Sequence, residues 1–243
     1  MSGVRRRPSE GKETLQNLWG GAVKVFCSWS GGKESCLACY QAIREGHEVA
    51  SLLTMFTTTG NHTRSHRLRK DLLMAQSQAV GIPLYQRRVS WDTYERGFAR
   101  ALTALKREGI GGGVFGALYL SEDRAWVEQV CSEAGIVPLL PLWGMETKDL
   151  LSTFIKMGFE AIVVAVRSDI MDAHWLGKRI DRAFVEQMEK SGIDVCGENG
   201  EYHTLVVDGP IFGRRIDIRA TEITRRGSMA FLRVLSFGLR RKS

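Results

Sequence analysis

The chain has 243 residues, 44% hydrophobic and 25% charged, enough to bury a sizeable core as one domain with at most a small appendage. Its net charge is +7, but Arg5, Arg6, Arg7, Arg240, Arg241 and Lys242 supply six of those charges and leave 28 bases against 27 acids in residues 8–239. The body is nearly neutral, nucleic acid is not an expected partner, and residues 1–21 and 239–243 read as flexible basic tails. No segment has the apolar core of a signal peptide or the length of a membrane span, and five scattered cysteines make no disulfide framework. A cytoplasmic, reducing setting without membrane contact is expected.

The first tail ends in Gly20-Gly21, with Leu15, Leu18 and Trp19 as its only anchors. From residue 22 to 166 apolar runs alternate with helical spacing. Val25, Phe26 and Cys27 predict a buried strand. Ser30, Gly31 and Gly32 break it, and a helix follows through Cys36, Leu37, Tyr40 and Ile43 to Gly46. A second strand spans 49–56 and a polar loop 57–61. Leu68, Leu72, Leu73, Ala75, Gln76 and Ala79 have helical spacing ending at Gly81. A third strand is expected over 82–89, and a helix carries Tyr94, Phe98, Leu102 and Leu105. The fourth strand is expected over 114–120, a helix capped by Ser121 carries Trp126, Val127 and Val130, and the fifth strand spans 136–142. Thr147 caps the helix of Leu150, Leu151 and Phe154, and 161–166 is a sixth, wholly apolar strand. Such alternation predicts an α/β fold: a Rossmann-like (HUP-type) parallel sheet with helices on both faces and its ligand at the C-terminal edge of the strands. From residue 167 to 238 the rhythm changes to a helix over 181–190 and short strands over 204–207, 215–218 and 231–237. This is expected to be a smaller C-terminal α+β region on the substrate side.

Chemistry concentrates in two stretches. Residues 24–35 read K-V-F-C-S-W-S-G-G-K-E-S, a strand, a glycine turn and a helix start. Glycines admit backbone N–H groups to an oxyanion, and the helix N-terminus adds unpaired donors and a positive dipole end. The plainer alternative is a tight turn beside a solvated lysine. The run lacks the Walker spacing and resembles the shorter PP-loop, S-G-G-x-D-S, of ATP pyrophosphatases. Gly111, Gly113 and Gly116 satisfy G-x-G-x-x-G, but they enter a strand, whereas a dinucleotide fingerprint leaves one. Residues 196–204 read C-G-E-N-G-E-Y-H-T, a tight acidic loop.

Taken together, the two motifs resemble the diphthine–ammonia ligase family of N-type ATP pyrophosphatases. The stretches 133–144, 176–178 and 208–212 carry the same likeness, which covers roughly residues 23–218. The resemblance implies that ATP adenylates a carboxylate with release of pyrophosphate. Ammonia then displaces AMP to leave an amide, and the acceptor is diphthine on elongation factor 2. It implies nucleotide binding by Ser28, Ser30, Gly31, Gly32, Lys33, Glu34, Ser35 and Gly116, with Mg²⁺ on the phosphates through ligands left unassigned. Glu198, Asn199, Gly200, Glu201, Tyr202, His203 and Thr204 would face the acceptor. Lys33, Glu198 and Glu201 would be catalytic, the two glutamates holding ammonium, accepting its proton or facing diphthine's quaternary ammonium; Tyr202 would add a cation–π contact. A homodimer is compatible with this.

Two positions depart from the family pattern. Glu34 stands where the PP-loop usually has Asp, and Gly116-Ala117 where the family commonly has Gly-Asp; Glu122 and Asp123 are the available compensations. Two rival functions follow. One is a sulfur-inserting tRNA enzyme using Cys36, Cys39 and Cys196; the other is a nucleotide-binding paralogue with altered or lost turnover. Among the histidines, His47, His62 and His66 are expected to face solvent, and His203 is a candidate base. Arg64, His66, Arg67, Arg69 and Lys70 form a local basic cluster.

Overall fold

The structure, a computed structural model, describes residues 21–57, 62–63 and 66–242. Tail residues 1–20, most of the 57–61 loop, and Arg64 of the basic cluster lie outside the described residues.

Five strands form one parallel sheet: β1 (Lys24–Ser28), β2 (Glu48–Thr57), β3 (Leu84–Val89), β4 (Gly112–Val114) and β5 (Val137–Leu139), in the order β3-β2-β1-β4-β5. Their sequence explains burial on both faces. Val25 and Cys27 of β1 enter the core cluster beneath α1 (Lys33–Arg44) and α2 (Lys70–Val80), while Phe26 between them enters the opposite one. That second cluster lies under α3 (Tyr94–Arg107) and α4 (Ser121–Ala134), through Phe98, Leu102, Leu105, Val127 and Val130. The glycines around β4 serve packing. A Cβ on Gly113 would fall 2.5 Å from the Phe26 ring, and one on Gly116 would fall 2.9 Å from the Glu34 backbone. Ser121 and Thr147 prove to be first helical residues, behind Leu120 and Glu146 at the cap positions.

The sixth strand, β6 (Glu160–Arg167), does not extend the parallel sheet. It reaches the other sheet after α5 (Thr147–Lys156) and lies between β7 (Tyr202–Asp208) and β9 (Met229–Arg241), antiparallel to both, with β8 (Arg214–Arg226) outermost. Its apolar run reports burial on both faces, which any central strand has; it carries no information on the partners' direction. The helix α6 (Arg182–Lys190) covers this sheet through Phe184 and Met188, capped by the Asp181 carboxylate, which accepts from Phe184 N–H at 2.9 Å.

The expected C-terminal basic tail is ordered. Arg240 and Arg241 continue β9 opposite Arg215 and Arg214, and Lys242 Nζ lies 2.7 Å from Asp208 Oδ1. Exposed strand ends tolerate charge, so arginine content hid a ladder. Among the described residues no helix is long and apolar enough to cross a membrane.

Candidate active site at the meeting of the two sheets

The bend after β1 sits at the C-terminal edge of the parallel strands. Gly31 takes a φ of +80°, and its carbonyl accepts from Val206 N–H of β7 at 2.9 Å. Gln76 of α2, fully buried, donates from Nε2 to Gly31 O at 3.0 Å and Val206 O at 2.8 Å, and accepts from Trp29 Nε1 at 2.9 Å. One side chain thus ties the glycine bend to the second sheet. Ser30 Oγ accepts from Gly32 N–H at 3.2 Å, and Ser35 Oγ donates to Gly32 O at 3.0 Å. The amide of Lys33 donates to Thr204 Oγ1 at 3.1 Å. The amides of Glu34 and Ser35 are left without an acceptor among the described residues. Orphan N–H groups at a helix start are the donors an oxyanion needs.

Lys33 is neither solvated nor free to reach outward. It is 2% exposed, and its Nζ donates to Cys196 O at 2.6 Å, meets Glu34 Oε1 at 2.5 Å and lies 4.7 Å from the Tyr202 ring centroid. Burial is the largest influence and would lower its pKa, but the Glu34 carboxylate with Tyr202 and Cys196 together outweigh it and keep the ammonium protonated. Tyr202, expected to offer its ring to a substrate cation, offers it to Lys33, while its hydroxyl donates to Val195 O at 2.5 Å.

Two cavities adjoin here. The larger, about 800 Å³, is lined by Ser28, Ser30, Leu53, Met55, Trp91 and Trp126 among others. The smaller, about 260 Å³, is lined by Lys33, Glu34, Gly116, Glu198, Gly200 and His203 among others. His66 and Asp123 line both. Of the two acids expected to compensate for the Glu34 and Ala117 departures, Asp123 lines both cavities and Glu122 lines neither. Burial, then Glu122, raises the Asp123 carboxyl.

The acidic loop splits its carboxylates. Glu198 faces the smaller cavity, where burial and then Glu34 push its pKa up to about 8. Glu201 is 6% exposed and does not line that cavity; its Oε1 accepts from Asn199 Nδ2 at 3.1 Å and braces the loop. Asn199 lines a separate cavity with Tyr119 and Asp194. Asp194 shapes the turn, accepting from Cys196 N–H at 3.0 Å and Glu198 N–H at 3.2 Å.

His66 and His47 depart from expectation. His47 is 8% exposed, its Nδ1 accepting from Val23 N–H. His66 lies over the glycine turn, its Nδ1 2.9 Å from Thr204 O, its ring centroid 4.7 Å from that of His203. A carbonyl only accepts, so Nδ1 carries the proton. Burial lowers the pKa of both rings, that of His203 well below the usual histidine range with His66 adding to the effect. Both rings are neutral near pH 7. The thiols of Cys36 and Cys196 are buried and raised, first by burial, away from thiolate character.

A family model of the diphthamide synthase N-terminal domain matches residues 23–138, and one of the C-terminal domain matches residues 146–236. The diphthine–ammonia ligase of Danio rerio is 31% identical over 238 residues, covering 86% of this chain and 91% of that protein. That of Mus musculus is 28% identical over 253 residues, covering 90% and 91%. Among solved structures, a predicted subunit of tRNA methyltransferase from Methanocaldococcus jannaschii aligns over 78% of this chain and 97% of its own, with a TM-score of 0.43 and 16% identity. With both halves of the chain matched in order by the paired family models, this chain belongs to the diphthine–ammonia ligase family.

Proposed function

We propose that this protein is an ATP-dependent carbon–nitrogen ligase that turns a protein-borne carboxylate, that of diphthine, into a carboxamide. The single observation carrying this reading is the physical union of the glycine bend and the acidic loop, joined by Lys33 Nζ to Cys196 O and by Lys33 N–H to Thr204 Oγ1. Adenylation needs a phosphate-binding turn and the acceptor within one cleft, and the hydrogen bonds between this turn and the loop expected to face the acceptor support that arrangement.

The parallel-sheet half handles nucleotide, and residues 167–238 handle the acceptor. In the first step an acceptor carboxylate oxygen bonds the α-phosphorus of ATP as the bond to pyrophosphate breaks. The Glu34 and Ser35 amides and the dipole of α1 meet the charge that builds on the leaving group. Lys33 contributes its field and holds the acidic loop in place. In the second step ionised Glu198 holds ammonium and takes one proton; the ammonia attacks the acyl carbon, AMP departs, and the second proton leaves the nitrogen to the departing AMP phosphate or to solvent. A carboxyl group titrating near neutrality suits that transfer.

The donor set fits Mg²⁺, which favours one or two carboxylates completed by substrate phosphates. Glu34, Asp123 and Glu198 line the smaller cavity, and no group of three His, Cys, Asp or Glu among the described residues makes an all-protein metal cage. When bound, the ion supplies charge neutralisation on the phosphates. Sulfur insertion is not favoured, because Cys36, Cys39 and Cys196 are all buried and burial raises the thiols of Cys36 and Cys196.

The test is ATP consumption with a diphthine-bearing acceptor, with and without ammonium. Pyrophosphate release should require the acceptor, and amide formation should require ammonium and fall at least tenfold in Glu198→Gln. Pyrophosphate release indifferent to the acceptor would end this reading.

A further inference from the structure

Between β2 and α2 the chain makes a tight return. Thr63 N–H donates to Leu68 O at 2.9 Å, and Leu68 N–H donates to Thr63 Oγ1 at 3.1 Å. Arg67 has a φ of +49°, the one positive φ outside glycine among the described residues. Such a conformation is uncommon, and a fold keeps it where neighbouring geometry requires it. The neighbour is His66, whose half-buried ring is turned inward over the glycine bend. Gly32 leaves the ring room, since a Cβ there would fall 2.5 Å from His66 Cε1.

The two ring nitrogens are not equivalent. Nδ1 carries the proton that the Thr204 carbonyl accepts at 2.9 Å. Nε2 therefore holds a lone pair, and it has no hydrogen-bond partner among the described residues. A base needs that combination, with one nitrogen committed to fix ring and tautomer and the other open. Position adds to it. Only His66 and Asp123 line both the larger and the smaller cavity. With nucleotide in the larger and ammonium beside Glu198 in the smaller, the acyl-adenylate reacts at the boundary these two residues share. Asp123 belongs to the carboxylates that fit Mg²⁺, which leaves His66 as the uncharged base of that boundary. Lys33 and Glu34 of α1 and His203 of β7 are the other titratable groups acting on the ring, and burial above all keeps it neutral. His203 lines the smaller cavity alone, and among the described residues no carbonyl fixes its tautomer.

We propose that His66 is a further catalytic residue, whose Nε2 takes the second proton from the attacking nitrogen. This role rests on the ligase reading. In the second step the nitrogen–carbon bond forms, and the carbon–oxygen bond to AMP breaks with its electron pair leaving on the phosphate oxygen. Ammonium sheds two protons in all. Glu198 takes the first before attack; Nε2 takes the second as the adduct collapses and passes it to the AMP phosphate or to solvent. A protonated nitrogen can be expelled again, so losing that proton commits the adduct to the amide.

The experiment uses the full chain with ATP, a diphthine-bearing acceptor and saturating ammonium, and reads carboxamide formed per pyrophosphate released. His66→Asn keeps an amide N–H for the Thr204 carbonyl and removes Nε2. Its carboxamide yield per pyrophosphate should fall about tenfold or more, because the adenylate stalls or hydrolyses back to the acid. A ring that only supports the turn would lower both products together and leave their ratio unmoved. Hydroxylamine in place of ammonium gives the second reading. It is uncharged near neutral pH and its adduct loses a proton readily to water, so hydroxamate per pyrophosphate in the variant should return to about the parent's value. His66→Gln, which also lacks a basic lone pair, is read in the same way if the asparagine variant does not fold. An unchanged ratio with ammonium, or a fallen ratio that hydroxylamine does not restore, overturns this role and leaves the ligase reading standing. So does loss of pyrophosphate release itself in a folded variant. A parent whose pyrophosphate release ignores the acceptor ends the ligase reading, and this role with it.

Discussion

Burial, and after it the Glu34 carboxylate, push the Glu198 carboxyl up to about 8, so the group changes state within the physiological range. The folded-state value lies above the ordinary 4.5. Between those two values the folded protein holds a proton that the unfolded chain has released. Stability therefore falls as pH rises from about 4.5 through about 8, at a limiting slope of about 1.4 kcal/mol per pH unit. Glu198→Gln removes this term, and thermal melts between pH 5 and 8 should show a flatter decline than the parent. The ligand has the opposite dependence. Only the ionised carboxylate attracts ammonium, so KM for ammonium should fall from pH 6 to 8 in the parent and stay level in the variant. A parent KM that does not move with pH would remove Glu198 from the ammonium site. From sequence, Glu198 and Glu201 are equivalent glutamates three positions apart. What separates them is the turn held by Asp194 and Asn199, which sends one into the cavity and uses the other as a brace.

At the scale of the element, the start of α1 depends on what it touches. Gly32 is the cap residue with a φ of −90°, a conformation any residue adopts, so its glycine is required by space. A Cβ there would lie 2.5 Å from His66 Cε1 and 3.3 Å from Thr204 O. Gly32→Ala must move the His66 ring off the turn, at a cost of about 1–3 kcal/mol for an overpacked contact. The expected result is a lowered melting temperature, a shifted His66 ring proton resonance and loss of acceptor-dependent pyrophosphate release. An unmoved resonance would mean that the ring does not rest on the turn. The glycine turn itself was legible because apolar strand character stops and helical spacing begins within a few residues. His66 was not, because it stands in a polar run without periodicity and its hydrogen-bond partner, Thr204, is 138 residues away. The only available signal was a histidine amid bases, which reads as a solvated face.

On the scale of the whole molecule, four of the five parallel strands were legible from their two-sided burial; the fourth, expected over 114–120, lies at Gly112–Val114, and β6 and the last residues of β9 were assigned to the wrong surroundings. An apolar run fixes depth without fixing direction, and arginines at the end of β9 look like a tail until β8 is found opposite. Nor did sequence distinguish Gln76 from the other helical positions of α2, although an amide on an otherwise apolar face is the mark of a buried linker. Its three hydrogen bonds join β1's exit, the glycine bend and β7. Gln76→Leu keeps the approximate volume and strands the Trp29 indole N–H and the Val206 carbonyl, and it removes one of two donors to Gly31 O. At about 1–3 kcal/mol for each buried group left unpaired, the loss should be on the order of 3 kcal/mol. Because one core cluster runs from Val25 and Leu73 through Val163 to Val206 and Val234, the two sheets should still unfold together. Urea titration of the variant should therefore show a lower midpoint with coincident curves from tryptophan fluorescence and far-ultraviolet dichroism. Curves that separate would mean that the sheets are independent folding units clamped mainly by this amide, and that the cleft between them exists only while the clamp holds.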